Sequence, residues 1–107
     1  MNFGKALEAL KNGQLVTRAG WNGKGMFLFS RCADTFDIEV VLGMKSLPKS
    51  VKDYYERKHQ PIHPADNIQI TFTAFLCMKA ADDTIVNGWL ASQTDMQAED
   101  WQIFEYN

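Results

Sequence analysis

Ile68-Gln69-Ile70-Thr71-Phe72-Thr73-Ala74-Phe75-Leu76-Cys77-Met78-Lys79 is the stretch on which the fold turns. Ile68, Ile70, Phe72, Ala74, Leu76 and Met78 lie on one side of an extended chain. Gln69, Thr71, Thr73 and Lys79 lie on the other, which is the period-two pattern of a strand with one buried face. The pattern predicts one long central strand over residues 68–79. Ala81-Asp82-Asp83 then supplies a hairpin turn into a strand over 84–89, and residues 101–106 close the chain as a final strand. Upstream, 15–18 and 26–32 read as strands on either side of Gly20-Trp21-Asn22-Gly23-Lys24-Gly25. Before them, Asn2 offers a capping oxygen, and Phe3, Ala6, Leu7 and Leu10 recur at helical spacing until Gly13 ends the segment.

Residues 33–67 carry the weakest pattern. A strand is expected over 36–42 and a short helix over 48–58, its first turn begun by Pro48. His59-Gln60-Pro61-Ile62-His63-Pro64 cannot continue that helix. Between residues 89 and 101, Ser92 with Asp95 and Thr94 with Gln97 are overlapping capping-box signals. Together these elements predict an α+β fold: an N-terminal helix packed on a mainly antiparallel sheet of about five strands, with a short helix in the middle insertion. One domain over residues 1–107 is expected, with no internal repeat and no linker.

Composition sets limits on what such a chain does. The 107 residues are 46% hydrophobic and 22% charged, ordinary for a globular domain. Thirteen aromatics, three of them Trp, are enough to fill a modest core and to leave aromatic surface for a ligand or a neighbouring subunit. A net charge of −2 argues against a polynucleotide-binding face, which needs many cations on one side. A small anion needs fewer, and Arg18, Lys24 and Arg31 lie close together in sequence. No apolar run approaches the roughly 18–20 residues that span a bilayer, and the N-terminal segment lacks the apolar stretch of a signal peptide, so a cytoplasmic protein is expected. Cys32 and Cys77 sit in apolar strand-like runs, which favours buried free thiols over a disulfide.

Catalytic and metal chemistry find little support. His59 and His63 have the i, i+4 spacing of a helical metal pair, but Pro61 lies between them and no third ligand is near. No Ser or Cys has a partnered His, and no nucleophile elbow is present. The glycine-rich stretch lacks the ending of a phosphate-binding P-loop. It does set a Trp among glycines, where backbone amides approach a ligand closely and the indole can stack. Trp89-Leu90-Ala91-Ser92-Gln93-Thr94-Asp95 joins a second aromatic plane to hydroxyls and amides at a helix start, an arrangement that suits a nucleotide. Capping by Ser92 and Thr94 with Trp89 in the core explains the same residues equally well.

Met1-Asn2-Phe3-Gly4-Lys5-Ala6-Leu7, the run from Arg18 through Trp21-Asn22-Gly23-Lys24-Gly25-Met26, and Trp89-Leu90-Ala91-Ser92-Gln93-Thr94-Asp95-Met96 to Trp101 together resemble the second family of Thoeris anti-defence proteins of phages. The resemblance implies a sponge in the bacterial host cytoplasm. Such a protein binds, without cleaving, the cyclic ADP-ribose isomer made by a TIR-domain enzyme, and some relatives also hold cyclic dinucleotides of CBASS at a separate site. It implies a homotetramer with pockets between subunits, no cofactor, no metal and no catalytic residue. By motif, the ligand role passes to Trp21, Asn22, Trp89, Ser92, Gln93, Thr94 and Asp95, with Arg18 and Lys24 as phosphate partners. Asp95 would then accept ribose or base donors. Asp83, where the turn usually has Gly, and a longer middle over 33–67 depart from the pattern, and the latter puts Tyr54, Tyr55, Arg57 and His59 forward as modifiers of ligand choice. Two other functions fit a small aromatic-rich protein: an enzyme that degrades the signal through Asp95 or His63, and an inhibitor that binds a host protein directly.

Overall fold

A computed structural model describes residues 1–106. The chain opens with α1 (Phe3–Lys11), β1 (Val16–Arg18) and β2 (Phe27–Arg31). β3 (Asp34–Asp37), α2 (Ile38–Leu42), α3 (Lys49–Lys58) and β4 (Gln69–Phe72) follow, and β5 (Phe75–Lys79), β6 (Ile85–Asn87), α4 (Gln93–Gln97) and β7 (Trp101–Ile103) complete it. β6-β5-β2-β1-β7 form one antiparallel sheet, while β3 and β4 pair in a separate two-stranded ladder. This is an α+β fold. The chain divides into two compact units, one built from residues 1–32 and the part beginning at Ala74, the other from Ala33–Thr73.

In the first unit, Asn2 Oδ1 accepts the Lys5 amide at 2.9 Å and starts α1, whose Ala6, Ala9 and Leu10 are buried. The helix covers one sheet face, because register puts Val16, Leu28, Met78 and Trp101 on the same side. Val16 and Leu28 are fully buried there, with Trp101 beneath Phe3 of α1. The opposite face carries Phe27, Phe29, Phe75, Cys77 and Lys79. Beyond Trp101–Ile103 the final strand continues only through the Phe104 amide, which donates to the Leu15 carbonyl at 2.9 Å.

Three expectations are corrected. The stretch over 68–79 is not one central strand: it breaks at Thr73 and Ala74, its first half pairs with β3, and its second half pairs with β2 and β6. Alternation is blind to this, since two consecutive strands in different sheets alternate as well as one long strand does. β2 takes the central place instead. The strand expected over 36–42 ends at Asp37, and Ile38–Leu42 is helical, with Ile38 and Val41 buried and Val40 half exposed. A three-residue step puts Ile38 and Val41 on one helical face, so burial overrides the strand preference of β-branched residues. Of the two thiols, both free, Cys77 is buried as expected but Cys32 is exposed, just past the end of β2.

The middle unit otherwise follows its pattern. Pro48 takes the cap position just before Lys49–Lys58 rather than the first turn itself. Ile38 donates its amide to the Ile68 carbonyl at 3.0 Å, tying α2 to the end of the β3–β4 ladder. No described helix is long and apolar enough to cross a membrane.

Candidate functional site

β1 ends at Arg18, and the chain makes a short 3-10 turn over Ala19–Trp21 before Asn22 and Gly23 adopt left-handed backbone at φ 61° and 64°. Gly25 is left-handed too, at φ 75°, a conformation that costs glycine nothing. Thr17 Oγ1 donates to the Met26 carbonyl at 2.7 Å and closes the loop's neck. Between this loop and the ends of β1 and β7 lies a cleft of about 330 Å³. Its walls include Thr17, Arg18, Trp21, Lys24, Gln102 and Phe104, with the backbone of Gly23 and Gly25. Trp21, Lys24 and Arg18 therefore share one concavity, while Arg31, close to them in sequence, lies at the far end of β2 with its guanidinium over the Phe75 ring.

Arg18, in the cleft wall, is also held by two carboxylates. Its Nε donates to Asp100 Oδ1 at 2.8 Å and its Nη1 to Asp95 Oδ1 at 2.8 Å, with only 15% of the side chain exposed. Asp95 Oδ2 accepts the Ser92 amide at 3.0 Å and the Ser92 hydroxyl at 2.8 Å, while Ser92 Oγ accepts the Asp95 amide. Of the two overlapping signals, the capping box of α4 uses the Ser92 and Asp95 pair. Burial pushes the Asp95 carboxyl up, but the Ser92 donors and Arg18 outweigh it and hold the group below its ordinary 3.8. The Arg18 hydrogen bond and the Gly20 amide also hold Asp100 down. Gly20 has to be glycine or force a shift, since a β-carbon there would stand 2.9 Å from Asp100 Oδ2.

The three Trp form one cluster. Trp21 meets Trp101 edge-on at 5.5 Å between centroids and Trp89 at 6.4 Å, and Trp89 meets Trp101 at 6.3 Å. Trp101 is core, and Trp21 and Trp89 are half-buried against it. Trp21 thus both lines the cleft and packs on the core, with Trp89 in edge contact with it. The Trp101 indole donates to the Asp95 carbonyl at 2.9 Å, which joins the aromatic cluster to the Arg18 network.

Apart from Trp89, which belongs to the Trp cluster, the residues singled out fall at the cleft, in its loop or at α4. Arg18, Trp21 and Lys24 line the cleft, and Asn22 is exposed within its loop. Ser92 and Asp95 are engaged with each other, and Gln93 and Thr94 are exposed on α4. Sequence reasoning missed Thr17, Gln102 and Phe104, which come from β1, β7 and the residue after β7. Only the pairing of Thr17 with Gln102 across β1 and β7 brings them to the loop, and no local signal encodes it. In the middle unit, Tyr54 is exposed with its ring 5.1 Å from that of Tyr55, and Lys58 Nζ lies 5.8 Å from the Tyr54 ring centroid. Among the described residues, no three His, Cys, Asp or Glu side chains gather as metal ligands.

With this geometry in place, comparison with known proteins is decisive. The family model for the Thoeris anti-defense 2-like (Tad2-like) domain matches residues 1–104. The chain belongs to that family. It is also 38% identical over 103 residues to Thoeris anti-defense 2 of Bacillus phage SP01, covering 96% of this chain and 93% of that protein. Membership supports a phage anti-defence role. The family match runs through the middle unit as well as the cleft, so residues 33–67 lie within the family domain.

Proposed function

We propose that the protein sequesters, without cleaving it, the cyclic ADP-ribose isomer made by a Thoeris TIR-domain enzyme, so that the downstream effector in the host cytoplasm is not triggered. The cleft carries this reading: a glycine loop, a half-buried indole and Lys24 converge on a space sized for a small molecule. Trp21 supplies the stacking plane, the loop amides and Lys24 receive phosphate, and Asn22 contributes from the exposed part of the same loop. At about 330 Å³ the cleft is at the small end of such sites, roughly 300–1,000 Å³, so a cyclic ADP-ribose would extend beyond it. A second copy completing the pocket within a homotetramer meets that need, and brings Trp89, Gln93 and Thr94 into range of ligand from a neighbouring chain. Cyclic dinucleotides of CBASS would occupy a separate site.

Sequestration rather than turnover fits the carboxylates. Asp95 has both oxygens taken by Arg18 and Ser92, which suits a positioning residue better than an acid, a base or a direct ligand contact. The test incubates purified protein with nucleotide produced by a TIR enzyme, removes free ligand, heat-denatures the protein and separates what is released. Intact nucleotide in the protein fraction is the expected result. An altered nucleotide would make the protein an enzyme, and a protein fraction without nucleotide would turn attention to a host protein target.

A further inference from the structure

Lys79 stands beside the cleft without having been marked by any motif. It lies at the end of β5 opposite Phe27, and its ammonium sits 5.6 Å from the Phe27 ring centroid. Only 18% of its side chain is exposed. The ammonium also comes within 3.5 Å of where a β-carbon on Gly25 would be, so the absent side chain of a cleft residue gives it access to the loop. Among the described residues its one carboxylate partner is Asp83 Oδ1 at 2.9 Å, from a side chain that is 86% exposed. A half-buried, positioned cation is therefore held by a solvated anion, an ion pair of the weak surface kind. Asp83 occupies the turn at φ 68°, a conformation Asn tolerates equally, so the charge can be removed without altering the backbone.

We infer that Lys79 is a second phosphate-contacting cation of the cleft, and that Asp83 competes with ligand phosphate for it and so sets how tightly an anionic ligand is held. The inference rests on the sequestration reading above. Lys24 precedes Gly25 in the cleft wall and the Lys79 ammonium approaches Gly25 from β5, so two cations come to one glycine of the cleft, where a pyrophosphate can meet both. An internal pyrophosphate carries one negative charge on each phosphate, and two such charges held by two ammonium groups are a stronger partner than one solvated carboxylate on Lys79 alone, so exchange favours ligand. The pair then acts as a discriminator, since a ligand lacking phosphate cannot displace Asp83.

Calorimetric titration with the TIR-produced nucleotide tests this on four proteins: wild type, Lys79→Met, Asp83→Asn and Glu8→Gln. Glu8 lies on the exposed side of α1 and its variant makes the same charge change as Asp83→Asn. Affinity is expected to fall about tenfold in Lys79→Met, as for loss of one charge-assisted hydrogen bond, and to rise severalfold in Asp83→Asn, with Glu8→Gln unchanged. A misfolded variant cannot bind more tightly, so the Asp83→Asn result stands even if Lys79→Met is unstable. Binding by wild type with Asp83→Asn no tighter, or with Glu8→Gln equally tightened, overturns the role of the pair and leaves sequestration intact. Failure of wild type to bind overturns both.

Discussion

At the scale of the residue, Arg18 shows how a candidate ligand contact also takes on a structural role. Local sequence sets it beside a glycine loop as a loose cation, yet β1 pairs with β7 and brings it to Asp100, while the start of α4 brings Asp95. Replacing Asp95 by Ala removes a helix cap and a charged hydrogen bond together, and is expected to cost about 2 kcal/mol, read as a lower urea midpoint. Asp95 and Asp100 both lie below their ordinary 3.8 in the folded protein. The unfolded chain then binds more protons in acid, so the stabilisation is present above about pH 4 and is lost as pH falls through the folded values. Urea midpoints measured from pH 6 down to pH 3 are expected to decline more steeply for wild type than for Asp95→Asn. Parallel curves would deny Asp95 its share.

At the scale of the element, α1 and α4 were legible because capping is local. Asn2 and Ser92 lie within four residues of the amides they cap, so sequence spacing alone displays both contacts. Strand boundaries at 36–42 and 68–79 were not legible, because β-branched residues and alternation are shared by competing structures. The helical reading of Ile38–Leu42 makes a sharp expectation. Val40 is half exposed and Val41 fully buried. Val40→Lys should therefore change stability by no more than about 0.5 kcal/mol, while Val41→Ala should lose about 2 kcal/mol, as chemical denaturation would measure. A larger cost for Val40→Lys than for Val41→Ala would argue for a strand, in which Ile38, Val40 and Leu42 share a face.

At the scale of the whole molecule, the middle unit is an insertion between two neighbouring strands. β2 and β5 pair from Phe27 with Lys79 to Arg31 with Phe75, and residues 33–73 leave and return at one end of that pair. The first unit also exposes Leu90, Ile85, Val86 and Met96, apolar side chains that a lone chain leaves in water and an assembly would cover. Sedimentation velocity is expected to show a species four times the 12.2 kDa chain mass, and a monomer at all concentrations would remove the shared-pocket part of the proposal.

The amino-acid sequence by itself determined the α+β class, the capped helices, the hairpin turn at Asp82-Asp83 and the family, because each is written in residues a few positions apart or in contiguous motifs. It also marked Trp21 and Lys24 as cleft residues through the glycine-rich run around them. Tertiary structure alone decided that residues 68–79 serve two sheets and that Arg18 faces two carboxylates. It alone brought Lys79 next to Gly25. These last relations join residues tens of positions apart, and strand register sets them. Register depends on which long-range ladder forms, a choice made by burial of the whole sheet rather than by any local run of side chains.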